Sequence, residues 1–291
     1  MKFPTSRRRR LLLCALAAIL FLFVGIFFLQ SAVAHRKPPF LPDYPIIDLS
    51  PIWEQPRLDA EDYDTLFLQT GLGPSAVDRL RDSGPSGIDH ILEAQSAFFA
   101  PVTVSCDPLF GPFVKEDHLK IPDGTQIMAP PLADLRPGDI LLTYSTHSLG
   151  WRHGHAGLVL DVSEEGGSTL EAVLIGTDSA IMDTQHRLDY SNYLVLRLRD
   201  MTPVLQEALT AYAVEYLNGV PYRPTSGFWG LKEPEDDAFG VQCSYLVWYA
   251  FQHFGYDLDS DGGRLVTVND LAHSPLLEVV QIYGLDPREW S

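Results

Sequence analysis

The chain has 291 residues, 46% of them hydrophobic and 20% charged, which suits one globular body with additions and excludes a disordered or collagen-like chain. With the seven bases of residues 1–37 set aside, the remaining 14 face all 38 acids, so residues 38–291 carry a formal charge of −24. A body that acidic repels phosphate backbones, which argues against nucleic acid as a partner and is otherwise read as solubility.

Residues 1–36 read as a basic stretch followed by a membrane segment. Arg7 to Arg10 precede an unbroken apolar run, Leu11 to Leu29, long enough to span a bilayer as a helix. Basic residues stay cytoplasmic, so the expected topology is a single-pass protein of the cell membrane with its body outside. Ala32-Val33-Ala34 also offers a small-residue cleavage site, which would make the protein secreted. Cys14 lies inside the run without the small residue expected before a lipid-modified cysteine, and reads as membrane filler. Residues 37–58 are Pro-rich and read as an extended linker lifting the body off the membrane.

Residues 59–130 read as a helical extension. Tyr63, Leu66 and Phe67 suit one helix, Val77, Leu80 and Arg81 a second, and Ile88, Ile91, Leu92 and Phe98 a third, punctuated by Gly71, Gly73, Gly84 and Pro85. The texture changes in 131–291. Strands are expected at Asp139 to Tyr144, Ala156 to Val162, Thr169 to Ile175, Tyr193 to Leu198 and Leu277 to Tyr283, with Gly166-Gly167 closing a hairpin. Thr202 and Pro203 open a helix that Gly219 ends in a left-handed turn. A Pro/Gly-rich loop, Val220 to Gly240, leads to a helix from about Gln242 to Phe254, ended by Gly255. Strands clustered between helices without strict alternation indicate an α+β fold.

Cys243 stands at the start of that last helix. Unpaired N–H groups and partial positive charge there favour thiolate, and the same groups can hold an oxyanion. The alternative is a small buried hydrophobe on a core helix. A nucleophile needs a base. His155 opens a strand on which residues 155, 157 and 159 share a face, and Gly157 lets a substrate or another side chain approach the imidazole. Glu171, at the start of the neighbouring strand, is the candidate to hold the other ring nitrogen; the alternative is a surface-face carboxylate. His147 and His153 read as loop polarity. A zinc site through His147, His153 and His155 lacks a His-Glu-x-x-His spacing or paired cysteines, so no metal and no cofactor is expected. Cys106 reads as a loop or core residue. A single disulfide between Cys106 and Cys243 is open in an oxidising compartment, but so few cysteines make no framework.

Gly219-Val220-Pro221-Tyr222, followed after a Gly-rich loop by Cys243-Ser244-x-Leu246-Val247-Trp248-Tyr249-Ala250-Phe251, resembles the nucleophile region of NlpC-type cell-wall cysteine peptidases. Leu135-Arg136-Pro137-Gly138-Asp139-Ile140 and Gly154-His155-Ala156-Gly157-Leu158-Val159 resemble two further elements of that superfamily, and the likeness covers about residues 130 to 285. Histidine precedes cysteine, the order of the circularly permuted, YiiX-like (YycO-like) branch. The resemblance implies a permuted papain-like core, with an antiparallel sheet packed on the nucleophile helix. It implies Cys243 as nucleophile, His155 as base, Glu171 as the orienting acid, and Tyr222 and Ser244 at the substrate. Gln242 and Tyr245 depart from the Asp and Gly usual around the cysteine, which puts the stem-peptide pocket in question. The function implied is hydrolysis of an amide, a cell-wall peptide first. The alternatives are a lipid amide or ester, as for relatives resembling lecithin–retinol acyltransferase, or an inactive wall- or lipid-binding relative.

Overall fold

The structure is a computed structural model that describes residues 6–36, 39–110, 114–148, 151–163, 166–227, 232 and 240–290. Helix α1 (Ser6–Arg36) contains the apolar stretch Arg9–Leu29, with a mean hydropathy of 3.0 and none of it buried against the body. At about 1.5 Å per residue the stretch is close to the roughly 30 Å of a bilayer's hydrocarbon core.

Residues 39–58 do not stand off as a spacer. The short helix α2 (Ser50–Trp53) is followed by Leu58, which like Leu49 is buried; Phe40 N–H donates to Gly284 O, and Tyr44 Oη donates to Leu68 O. Gln69 accepts from Ile47 N–H, and Gln95 donates to Ile47 O. The expectation of an extended linker is thus corrected. Leu49, Ile52 and Leu58 are apolar enough to pack, and the prolines only fix the path along the helices.

Three helices follow where the spacing predicted them. In α3 (Ala60–Thr70) the side chains of Asp59 and Asp62 each accept the other's backbone N–H, a reciprocal cap that satisfies two otherwise orphaned donors. Helices α4 (Pro74–Asp82) and α5 (Pro85–Phe98) both open on proline, whose missing N–H costs nothing in a first turn. The chain between α3 and α4 runs along a sheet edge, with Ile282 N–H donating to Gly71 O and Gly73 N–H to Val280 O.

Strands β1 (Thr103–Phe110) and β2 (Val114–Lys120) then form an antiparallel hairpin. They lie inside residues 59–130, read from sequence as helical. The inward positions of β2 include Lys115, Asp117 and Leu119, so burial alternates with period two while hydropathy does not. Strand β3 (Ile140–Thr143) leads to the short β4 (Thr146–Ser148), which joins β2. Next come β5 (His155–Ser163), β6 (Gly166–Glu171), β7 (Ala180–Asp183) and β8 (Tyr193–Leu198). Thr202 caps α6 (Pro203–Tyr212) by accepting Leu205 N–H, and Gly219 adopts φ 82° beyond it. About half of the loop predicted at 220–240 lies outside the described residues. Helix α7 (Cys243–Gln252), helix α8 (Val268–Ala272) and strand β9 (Leu277–Tyr283) complete the chain.

The fold is α+β with antiparallel sheets. The larger sheet has the order β7-β6-β5-β3-β8-β9, and the smaller is β1-β2-β4. One face of the large sheet carries Ile140, Leu142, Ala156, Leu158, Leu194 and Leu196 and packs with Leu209, Leu246, Val247, Trp248 and Phe251 of α6 and α7. The other face, through Leu141, Val159, Val195 and Val280, meets Leu66, Val77, Leu80 and Ile91 of the extension. A sheet buried on both faces holds its strand ends rigidly.

One buried charge cluster ties this sheet together. Arg197 of β8 donates through Nε to Asp139 Oδ1 at 2.8 Å, through Nη2 to Asp139 Oδ2 at 2.7 Å, and through Nη1 to Asp134 Oδ2 at 2.9 Å. Asp139 therefore has a structural task in the Leu-x-Pro-Gly-Asp element. Removing the cation leaves the Asp139 carboxylate buried without a counter-charge, while Asp134 keeps Arg136. Arg197→Met is expected to cost about 3–5 kcal/mol, read as a loss in denaturant unfolding free energy.

Candidate functional site

The site forms where α7 starts, beside the first residue of β5. Gln242 has extended backbone (φ −111°, ψ 169°), and its Oε1 caps α7 by accepting Ser244 N–H at 3.1 Å; its Nε2 donates to Val266 O at 2.7 Å. A glutamine in place of an aspartate thus leaves the helix start capped without adding a charge. Cys243 follows as the first helical residue, buried to 8% exposure.

His155 is hydrogen-bonded to Glu171 and interacts electrostatically with Cys243, whose Sγ donates to Gln242 Oε1 at 3.5 Å. His155 Nε2 lies 2.7 Å from Glu171 Oε2, which leaves Nδ1 as the ring nitrogen off the carboxylate. Leu158 pairs with Leu170, so one further step along the antiparallel ladder sets Gly157 opposite Glu171. A Cβ on Gly157 would collide with Arg187 Nη2; the missing side chain is what lets Arg187 reach Glu171 across the strand. Arg187 Nε donates to Glu171 Oε1 at 2.9 Å, Thr169 Oγ1 donates to the same oxygen at 2.5 Å, and His186 Nε2 lies 3.3 Å from it.

The electrostatics follow from these partners. Burial alone would raise the Glu171 carboxyl, but Arg187, His155 and His186 hold it well below the usual carboxylate range. Burial and the Arg187 charge push the His155 imidazole down, yet its interactions with Cys243 and Glu171 outweigh them and lift it to about 9. Burial pushes the Cys243 thiol up, while His155 and the backbone N–H groups of Ala156 and Ser244 bring it below the ordinary thiol value. Both shifts favour the thiolate and imidazolium forms of the pair. Cys106 contrasts with it: burial and the Asp117 charge push that thiol up to about 11.

A cavity of about 250 Å³ opens on Cys243, walled by Trp151, His153, Ile175, Tyr222, Leu265 and Val268, among other residues. No Asp, Glu, Lys or Arg lines it among the described residues. Trp151 and Ile175 stand 60% and 68% exposed. Tyr222 lies against Cys243; burial and the cysteine's charge raise its phenol, which stays a proton donor at neutral pH. The Ser244 hydroxyl, expected at the substrate, is buried at 2.9 Å from both Gln242 Oε1 and Val266 O, so its polar capacity is spent inside the protein. His153 is held by Gly154 O and Ser148 Oγ at 2.7 and 2.9 Å, and burial lowers it, leaving it neutral.

The structure thus brings Cys243, His155 and Glu171 together and adds Thr169 and Arg187, to which the sequence did not point, and His186, a histidine that sequence reasoning left without a role. The one available signal for Arg187 was Gly157, which announced a close approach without saying by what.

Replacing Glu171 by Gln removes the charge that lifts the imidazole. In the Glu171→Gln variant, the His155 ring is expected to titrate at least about one unit lower by NMR, a change of about 1.4 kcal/mol. The folded value lies above the ~6.5 of a free imidazole. The stability contributed by protonated His155 is therefore complete below about pH 6.5 and lost as pH rises through about 9. Denaturant unfolding of the wild type should show that decline over this window, and Glu171→Gln should flatten it.

No known protein-family model matches the chain, and no curated protein matches it. Among solved structures it is similar to the crystal structure of metalloprotein yiiX from Escherichia coli O157:H7, at 17% identity and a TM-score of 0.39, over 50% of this chain and 96% of that one.

Proposed function

We propose that the chain is a cysteine hydrolase with a permuted papain-like active site, held at the membrane by α1, that transfers an acyl group to water. The observation that carries this reading is the buried line of Cys243, His155 and Glu171 at the start of α7. Cys243 Sγ attacks an amide or ester carbonyl. Backbone N–H groups at the start of α7 hold the oxyanion, and Tyr222 donates toward the same oxygen. His155 gives its Nδ1 proton to the leaving nitrogen or oxygen as the thioester forms. It then takes a proton from water, which cleaves the thioester to a free acid and restores the thiolate. Glu171 keeps the ring oriented throughout.

The sequence expectation was a wall-peptide amide. The cavity favours the second substrate class, because a stem peptide brings charges that need partners, whereas walls of Trp151, Ile175, Leu265 and Val268 suit an apolar acyl group. The bases at Arg7 to Arg10 support a topology with the body on the outer side of the membrane, and cleavage after Ala34 would release it.

Full-length protein in detergent, incubated with wall fragments and separately with lipid extracts, should release a free acid detectable by mass, from the lipid more than from the wall. Cys243→Ala should reduce that release at least about a thousandfold while thermal stability changes little. Release that persists in Cys243→Ala contradicts the assignment.

A further inference from the structure

A second cluster of ligating side chains lies away from the Cys243 line, on the small sheet. Cys106 of β1 and Asp117 of β2 face each other as cross-strand partners. Lys115 pairs with His147 of β4, which puts His147 diagonal to Asp117 on the same face. The donor atoms converge: Cys106 Sγ lies 3.4 Å from His147 Nε2, that nitrogen lies 3.3 Å from Asp117 Oδ1, and all three fall within 4.8 Å of one another.

A catalytic relay would use the two ring nitrogens for two different partners. Here a single nitrogen faces both the sulfur and the carboxylate, and His147 Nδ1 is buried without a hydrogen-bond partner. Convergence of three donors on one point is the pattern of metal ligation. A tetrahedral ion with bonds of about 2.3 Å to sulfur and about 2.0 Å to nitrogen and oxygen separates sulfur from nitrogen by about 3.5 Å, and nitrogen from oxygen by about 3.3 Å. Those are the spacings found. The other Asp117 oxygen is held by Arg152 Nη1 at 2.6 Å, which fixes the carboxylate and leaves Oδ1 turned to the cluster.

We propose that Cys106, Asp117 and His147 form a site for one zinc-class divalent cation, with a fourth position for water. Thiolate, imidazole and carboxylate together select such an ion over calcium or magnesium. Binding forms Zn–S, Zn–N and Zn–O bonds and releases the Cys106 thiol proton to solvent, with no change of oxidation state. The ion would tie β4 to β1 and β2. Because Ser148, next to His147, lines the Cys243 cavity, the effect would be to stiffen one wall of that cavity. This inference does not rest on the hydrolase reading.

Full-length protein in detergent, stripped with chelator and titrated with Zn²⁺, should take up one equivalent. Cys106→Ser and His147→Ala should each weaken uptake at least about tenfold, and Cys243→Ala should leave it unchanged. Co²⁺ in place of zinc should give a sulfur-to-metal charge-transfer band that Cys106→Ser lacks. In alkaline buffer, where Cys106 reacts, zinc should also slow its alkylation in the wild type, mapped by peptide mass, a readout that needs no variant to fold. No uptake by the wild type, uptake undiminished in Cys106→Ser, or alkylation of Cys106 at the same rate with zinc would each overturn the proposal.

Discussion

A carboxylate buried to 1% exposure needs partners, and the large sheet is arranged so that Glu171 has them. Thr169, Arg187, His186 and His155 all surround its two oxygens. Arg187 can reach it only because Gly157 has no side chain, and it comes from the short helical turn Thr184–Asp189 before β8. The strand, the turn and the glycine are therefore one device. Its output is the orientation of one imidazole, with Nε2 fixed on Glu171. The charge chain from Arg187 through Glu171 to His155 ends at a sulfur whose pKa is lowered in spite of its burial.

The rest of the fold keeps that line rigid. Helix α7 lies on one face of the sheet and the three-helix extension on the other, so β5 cannot shift without disturbing packed side chains on both sides. Gln242 caps α7 and anchors it to Val266, which fixes the height at which Cys243 meets the ring. The two cysteines outside α1 then divide by environment. Cys243 meets an imidazolium and backbone N–H groups, while Cys106 meets the carboxylate of Asp117 and stays a thiol unless a cation joins it.

Much of this was legible in the sequence, for reasons that differ by element. Strands β8 and β9 coincide with the runs Tyr193 to Leu198 and Leu277 to Tyr283, because both are apolar and bounded by turn residues. The start of α7 was readable from Cys243 itself and the apolar helix behind it. The hairpin β1–β2 was not, since its inward side chains include Lys115 and Asp117, and no hydropathy pattern marks a strand that buries charge. For the same reason the cluster of Cys106, Asp117 and His147 was invisible: its members are 11 and 30 positions apart and meet only through strand register. The segment 39–58 misled through its prolines, which signal an extended path without telling whether Leu49 and Leu58 find a surface to pack on. Ser244 misled in another way, because a polar residue beside a nucleophile serves the helix start as readily as a substrate.

The central claim, that Cys243 rests as a thiolate paired with protonated His155, is tested most directly by the pH dependence of its alkylation. In the full-length protein, mass-mapped carboxamidomethylation of Cys243 should proceed at a nearly constant rate from about pH 6 to 8, while Cys106 reacts measurably only in alkaline buffer. A Cys243 rate that instead rises about tenfold per pH unit through that range, as for a free thiol of pKa ~8.5, would contradict the ion pair.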